Sequence, residues 1–163
     1  MQVPEYVIDA SSIIYGWDNY PIAQFPGLWE WLATQIAEQY LIIASVAFDE
    51  VDDNSPECAV WLNGAGITKI IPQNAILQDA RRMMRLLGIM NDDFHPKGVG
   101  ENDLIIIASA KSFGRPLISD ESRQKVPDLP KKRKIPAVCA MPEVTVQCIN
   151  FLEYIKKSGM VFR

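Results

Sequence analysis

The sequence contains a single histidine, His95, and only three cysteines in 163 residues. Cys58, Cys139 and Cys148 form no Cys-x-x-Cys pair, which argues against a zinc site or a disulfide framework and favours reduced thiols. One imidazole is too few for a zinc centre with several histidines, and a histidine base is excluded unless His95 is that base. The chemistry of this chain must therefore rely on carboxylates, hydroxyls and amines.

Long apolar runs and an excess of positive charge are also missing. No apolar run reaches the ~18 residues that span a bilayer, and the first residues, MQVPEYVIDA, lack the basic and apolar regions of a secretion signal. We therefore expect a soluble cytoplasmic protein that does not associate with membranes. The net charge of −4 does not indicate a nucleic-acid binder, although an acidic metal cluster would itself contribute negative charge.

The length and the order of the predicted elements favour one α/β domain over residues 1–163. Short runs of branched apolar residues predict strands at 6–8, 41–44, 67–71 and 116–119, with an edge strand at 144–149. Helices are predicted to begin near residues 11, 26, 45, 56, 74, 101 and 151, and residues 123–136, with three prolines, are predicted to be a surface loop. Strands separated by helices indicate a mainly parallel sheet.

Acidic residues stand where several of these elements meet. Asp9 follows the first strand, Glu50 lies in the helix after the second, Asp103 begins the apolar helix, and Asp120 and Glu121 follow the fourth strand. Because the carboxyl ends of parallel strands share one edge of the sheet, we expect these side chains to converge. Simpler interpretations exist for single positions, namely a helix cap for Asp9, a first-turn charge for Asp103 and a solvated helix face for Glu50.

Several carboxylates close together are strongly unfavourable without a positive charge between them. Mg²⁺ and Mn²⁺ prefer oxygen ligands, and Mg²⁺ keeps several waters and contacts the phosphates of its substrate. Two such ions ~4 Å apart can activate a water and stabilise the leaving oxygen when a phosphodiester is cleaved. The acidic set therefore predicts a Mg²⁺ or Mn²⁺ site.

Four segments resemble the successive blocks of PIN-domain ribonucleases, among them the VapC-like toxin nucleases. VIDASS is similar to the strand that ends in Asp, ASVAFDEV to the helix that carries Glu, NDLIIIASA to the helix opened by Asp, and LISDE to the last strand with its acid. All four occur in family order. The final segment, KIPAVCAMPEVTVQCINFLEYIKKSG, resembles a subgroup of small prokaryotic PIN-like proteins.

The resemblance implies a three-layer α/β/α sandwich and a metal-dependent endoribonuclease that cleaves RNA phosphodiesters with a metal-activated water. It assigns catalysis to Asp9, Glu50, Asp103 and a fourth acid. Glu121 is preferred as that fourth acid because it follows Ser119 by two residues, and Asp120 is its competitor, so that all five acids are candidate metal ligands. It further implies the toxin of a toxin–antitoxin pair, with an antitoxin protein as partner, and a homodimer.

Hydroxyl and basic residues complete the predicted site. Ser11 and Ser119 are candidates to hydrogen-bond a carboxylate or a phosphate oxygen. The basic run Lys131, Lys132, Arg133 and Lys134 is either a solvated loop or a clamp for the phosphates that flank the cut.

Two other functions remain open at this level. A PIN-like module could bind RNA or a protein without cutting, and the acids could serve a metal-dependent phosphoesterase with other substrates. A comparison of RNA, single-stranded DNA and a chromogenic phosphate as substrates would rank these alternatives.

Overall fold

A central five-stranded sheet organises the protein, in a computed structural model that describes residues 2–163. The strands are β1 (Tyr6–Ile8), β2 (Leu41–Ala44), β3 (Lys69–Ile70), β4 (Leu117–Ile118) and β5 (Cys148–Ile149). Their order is β3-β2-β1-β4-β5, and each neighbouring pair is parallel. The predicted parallel α/β arrangement is thus confirmed.

Helices connect the strands and cover the sheet. They are α1 (Ala10–Asn19), α2 (Pro26–Ala37), α3 (Ser45–Asn54), α4 (Pro56–Ala65), α5 (Asn74–Leu86), α6 (Glu101–Ser112), α7 (Ile135–Cys139) and α8 (Phe151–Ser158), with a 3₁₀ turn at Pro130–Lys132. One group consists of α1, α3, α4 and α8, and the other is built on α6 with α5 and α7. Helices on both sides of the sheet give the three-layer α/β/α sandwich that was predicted.

The connections reverse direction beside β1. From β1 the chain moves outward to β2 and β3, and then it crosses back to β4 and β5 on the other side of β1. In the register, Ile8 lies between Ile43 and Ile118, so the three strands end together. Open parallel sheets bind their ligands at the carboxyl ends of the strands where the order reverses, which here is the crevice between β1 and β4.

Packing fixes the helices that begin at this edge of the sheet. The side chains of β1, β2 and β4 are almost all buried, as expected for strands covered on both faces. Helix α8 approaches α1 so closely that a Cβ on Gly16 would lie 2.8 Å from the ring of Phe151. The start of α8 is therefore held against α1, next to the end of β4.

The structure corrects two local predictions. Only Cys148–Ile149 of the predicted 144–149 edge strand pairs with β4, because the chain turns at Val144 and Thr145, whose amides donate to the Met141 carbonyl, and Thr145 has a φ of 52°. The predicted loop 123–136 contains the 3₁₀ turn and the start of α7. Pro136 occupies the first turn of that helix, where a missing N–H is tolerated, so this proline begins a helix instead of marking a loop.

Within residues 2–163, none of the helices combines the length and the apolar character needed to cross a membrane.

Candidate active site

Asp9 lies at the reversal point, directly after β1. It occupies the position before α1 with an extended backbone (φ −83°, ψ 154°), and its carbonyl accepts hydrogen bonds from the amides of Ser12 and Ile13. Its carboxylate does not cap the helix. The helix-cap interpretation of this carboxylate is therefore wrong, and another role has to account for an aspartate that is only 2% exposed.

Two serine hydroxyls hold the Asp9 carboxylate. Ser11 Oγ donates to Asp9 Oδ2 at 2.6 Å, and Ser119 Oγ donates to the same oxygen at 3.1 Å. Ser11 Oγ also accepts from the Asp120 amide at 2.9 Å, and Ser119 Oγ accepts from the Glu121 amide at 3.3 Å. Both serines thus contact the carboxylate, and together they join the end of β1 to the end of β4.

The environment of Asp9 disfavours its ionised form. Burial raises the pKa of Asp9 to about 6, and the negative charges of Asp103 and Glu121 contribute to the rise, while the hydrogen bonds from Ser11 and Ser119 oppose it. Asp103 and Glu121, which are 94 and 112 positions away in sequence, are therefore close enough to raise the pKa of Asp9. An ionised Asp9 carboxylate is therefore unfavourable unless a positive charge lies close to it.

Glu50 belongs to the same electrostatic cluster. Burial raises its pKa to about 7, the charges of Asp9, Asp103 and Glu121 add to the rise, and a hydrogen bond from the Asn102 side chain lowers it. Helix α3 carries Glu50 on a half-buried position, whereas Asp49, Asp52 and Asp53 on the same helix are exposed. The solvated-face interpretation thus holds for these neighbours and not for Glu50.

Asp103 has two roles: it accepts a hydrogen bond at the start of α6, and it contributes negative charge to the acidic cluster. Its Oδ2 accepts a hydrogen bond from the Gly100 amide at 2.9 Å and so satisfies a free donor at the start of α6. Burial raises the pKa of Asp103, and this hydrogen bond together with the positive charge of Lys134 lowers it. The residue is therefore a helix-terminus acid that also faces Asp9 and Glu50.

The two acids after β4 have different surroundings. Asp120 Oδ1 accepts hydrogen bonds from Ser12 Oγ and from the amide of Phe151 at 2.9 Å, so this carboxylate ties α1 to the first residue of α8. Glu121 instead contributes its charge to the raised pKa of Asp9 and of Glu50. Mutual effects on pKa thus link Asp9, Glu50, Asp103 and Glu121, whereas the hydrogen bonds of Asp120 direct it toward α1 and α8.

The chemistry of this cluster suits a hard divalent cation held with waters. Within residues 2–163, no three histidine, cysteine, aspartate or glutamate side chains are grouped tightly enough to hold a metal ion by themselves. Mg²⁺ typically takes only one or two carboxylates and completes its shell with water and phosphate, so a tight group of three is not required. Since Ser11 and Ser119 both donate to Oδ2, Oδ1 of Asp9 is the oxygen left for such an ion.

The predicted basic run divides into two halves. Lys131 Nζ lies 3.3 Å from Asp93 Oδ2, and the charges of Lys132 and Lys131 lower the pKa of His95, so this half faces the loop before α6. Lys134 in the other half lowers the pKa of Asp103. Of the four basic residues, Lys134 is thus the one shown to act on the acidic cluster.

A close backbone crossing, not predicted from the sequence, fixes the basic run. A Cβ on Gly98 would lie 1.9 Å from the carbonyl oxygen of Lys131, so only glycine fits there, and the Val99 amide donates to the Arg133 carbonyl at 2.9 Å. Asn102 was missed as well, although its position beside Asp103 at the start of α6 was a usable signal. The loop that leads into α6 and the basic run therefore form one unit.

The fold and site thus define an α/β/α protein with an acidic cluster at the reversal point of a parallel sheet. The chain belongs to the family described as a domain of unknown function, DUF4411, whose profile matches residues 6–162. No curated protein matches the chain.

Two solved structures are similar over most of this chain. PAE2754 from Pyrobaculum aerophilum is 12% identical, with a TM-score of 0.57 over 96% of this chain and 97% of that one, which supports the fold. VapBC2 from Rickettsia felis, solved with a DNA fragment from its promoter, is 15% identical with a TM-score of 0.49, over 89% of this chain and 97% of that one.

Proposed function

We propose that the protein is a PIN-like endoribonuclease that depends on Mg²⁺ or Mn²⁺. The observation that carries the proposal is the buried Asp9 carboxylate, whose pKa is raised by burial and by the charges of two other acids. A cluster of this kind costs stability unless a cation or a proton neutralises it, and perturbed carboxylates of this kind concentrate at functional sites. The ordered sequence blocks give the same four positions.

Each residue then has a definite task. Asp9 and Asp103 would hold the ion most directly, with Glu50 and Glu121 beside them, while Ser11 and Ser119 fix the orientation of the Asp9 carboxylate. The ion, when bound, would neutralise charge on the phosphate and make water a better nucleophile. Lys134 would attract the phosphate backbone toward Asp103, in a salt-dependent way.

The biological role follows the sequence resemblance. On the basis of this resemblance, we propose that the protein is a toxin nuclease with an antitoxin partner and that it forms a homodimer. Growth of cells after induced expression, with and without the neighbouring gene, tests the toxin role, and it would be rejected if induction left growth unchanged while the protein was folded and cleaved RNA.

Cleavage of single-stranded RNA tests the enzymatic proposal directly. With Mn²⁺ or Mg²⁺, the wild-type protein should cut RNA, whereas Asp9→Asn and Asp103→Asn should each abolish cutting and keep the native circular dichroism spectrum. Asp49→Asn is the matched control, because it removes an exposed acid from the helix that carries Glu50. If Asp9→Asn cleaves at the wild-type rate, the assignment is wrong.

Two further substrates separate this function from its alternatives. A chromogenic phosphodiester cleaved faster than RNA would indicate a phosphoesterase of small substrates. RNA that binds but stays intact with either ion would indicate a binding module without catalysis.

A further inference from the structure

A groove of about 650 Å³ lies between the segment after β4, helix α7 and strand β5. We call it the β5 groove. Arg133, Gln147 and Arg123, which is paired with Glu153, contribute polar groups to its lining, and Val126, Pro136 and Ala137 contribute apolar surface. The volume falls within the roughly 300–1,000 Å³ of ordinary ligand sites, and the mixture of apolar wall and few polar groups is typical of them.

The β5 groove adjoins the acidic cluster. Arg123 follows Glu121 by two residues, and Arg133 precedes Lys134, whose charge lowers the pKa of Asp103. Cys148 lines the groove, and the negative charge of Asp9 opposes the lowering of its pKa by the Cys139 hydrogen bond and by Arg123. The groove therefore lies on the segments that flank Glu121 and Lys134, and the acids of the cluster are not part of its lining.

Arg133 is the unusual residue of this lining. Its backbone is fixed, since its amide donates to Pro130 at 3.0 Å and its carbonyl accepts from Val99 at 2.9 Å. Its side-chain Nε is buried and finds no hydrogen-bond acceptor among residues 2–163. A buried donor without a partner lowers stability. Arg133 as a whole is half-buried and lines the groove, so a phosphate in the groove would offer acceptors to the other nitrogens of its guanidinium.

We propose that the β5 groove binds single-stranded RNA beside the cut, with a flanking phosphate on Arg133 and an unpaired base against the exposed Val126 and the half-buried Pro136. The inference rests on the proposed function, because it takes RNA as the substrate of the acidic cluster. Arginine matches the geometry of phosphate. Arg123 is paired with Glu153, whereas Arg133 forms no salt bridge within residues 2–163, so Arg133 is the positive group left to a polyanion. A base can lie on an apolar wall only when it is not paired and stacked in a duplex, which selects single strands.

Cys148 reports occupancy of the groove without any need for cleavage. It is partly exposed and lines the groove, whereas Cys58 and Cys139 are buried. A hydrogen bond from Cys139 and the charge of Arg123 lower the pKa of Cys148, while burial opposes them, so Cys148 should react with iodoacetamide faster than the buried Cys58 and Cys139.

The labelling experiment uses wild-type protein in EDTA and a single-stranded RNA hexamer. At roughly nine times its dissociation constant, the hexamer should slow alkylation of Cys148 about tenfold, whereas the same sequence in a duplex should leave the rate unchanged. Full-speed alkylation of Cys148 under saturating hexamer would overturn the proposal, and so would equal protection by the duplex.

Arg133→Met tests the phosphate contact. Loss of one good arginine–phosphate pair should weaken hexamer binding about tenfold. The same variant should unfold at a higher urea concentration, because the unpaired buried nitrogen is gone. Lys157→Met removes the same charge near Tyr6, at the amino end of β1, and should leave hexamer binding unchanged. Unchanged binding by Arg133→Met would contradict the proposal, whatever its stability.

These results remain distinct from the test of catalysis. In one outcome, the hexamer protects Cys148, Arg133→Met binds it more weakly, and RNA stays intact with every divalent ion. That outcome would refute the proposed nuclease and support RNA binding in the groove. Normal cutting by Arg133→Met, with Cys148 unprotected, would refute the groove and leave the nuclease intact.

Discussion

Ser119 Oγ donates a hydrogen bond of 3.1 Å to Asp9 Oδ2 across 110 positions of sequence. The bond joins the carboxyl ends of β4 and β1. These strands are parallel neighbours, and between them the order in which the chain adds strands to the sheet reverses. It sets which oxygen of Asp9 is engaged, and so it makes Ser119 a positioning residue for the proposed ion.

Ser119→Ala should therefore weaken ion binding more than it weakens the fold. Groups that orient metal ligands typically contribute 10–100-fold to affinity, so we expect the dissociation constant for Mn²⁺ to rise about tenfold. Calorimetric titration measures this. The matched control is Ser109→Ala, because Ser109 is also buried but bonds only the Ile105 carbonyl of its own helix. Equal effects of both variants on Mn²⁺ binding would contradict the positioning role.

The two acids after β4 should respond in opposite ways. Glu121→Gln should lower RNA cleavage at least ~10-fold without lowering the free energy of unfolding, because this residue contributes a repulsive charge to the cluster. Asp120→Ala should lower the free energy of unfolding by ~2 kcal/mol, because the Ser12 hydroxyl and the Phe151 amide lose their acceptor. Cleavage assays and urea unfolding measure both. Loss of cleavage in Asp120→Asn, which keeps the acceptor, would make Asp120 the fourth acid.

The metal-free protein should become less stable as the pH rises. In the folded state the pKa of Asp9 is about 6 and that of Glu50 about 7, both above their ordinary values. Folded protein therefore binds more protons than unfolded protein in this range, so stability is greatest below the unfolded pKa values and is lost between about pH 4 and pH 7. Urea unfolding in EDTA at pH 5 and pH 8 tests the sign.

Asp9→Asn is the control for this pH dependence. By removing one buried charge, it should raise the free energy of unfolding in EDTA at pH 8 by about 2 kcal/mol and flatten the dependence on pH. A steeper dependence in Asp9→Asn than in the wild type would contradict the account.

Addition of Mn²⁺ should restore the stability that repulsion within the acidic cluster removes. An ion that binds only the folded state adds about 2.7 kcal/mol at 100 times its dissociation constant, so the midpoint of thermal unfolding should rise with Mn²⁺ concentration. Because Glu50 is partly protonated near neutral pH, ion binding should also release protons and strengthen with pH. Asp9→Asn should lose most of the thermal shift, and an equal shift in that variant would place the ion elsewhere.

Gly98→Ala should separate the basic run from the loop before α6. The added methyl would meet the Lys131 carbonyl at 1.9 Å, so one of the two backbones has to move, and Lys134 would lose its fixed distance from Asp103. We expect a loss of ~2 kcal/mol in the free energy of unfolding and weaker RNA cleavage. Gly64→Ala is the control, because no atom lies within 4 Å of its added Cβ, and it should stabilise α4 by ~0.5 kcal/mol. An unaltered stability of Gly98→Ala would contradict the tight crossing.

Sequence patterns located most of the fold because periodicity and branched residues mark elements locally. The same patterns placed Asp9, Glu50 and Asp103 near one another, because a parallel sheet brings the ends of its strands to one edge. They could not decide whether Asp120 or Glu121 is the fourth acid, since that depends on which carboxylate accepts a hydrogen bond from the first residue of α8. The crossing at Gly98 was equally hidden, because steric fit between segments about 30 residues apart leaves no periodic signal.

The joint between Gly98, Val99 and the basic run has a mechanical consequence. The segment that carries Arg133 and Lys134 packs against the backbone that leads into Asp103, and one hydrogen bond joins the two. A displacement of one segment should therefore move the other. Displacement of this segment should therefore disturb the proposed phosphate contact of Lys134 and the proposed ion ligand Asp103 together, without any contact with Asp9.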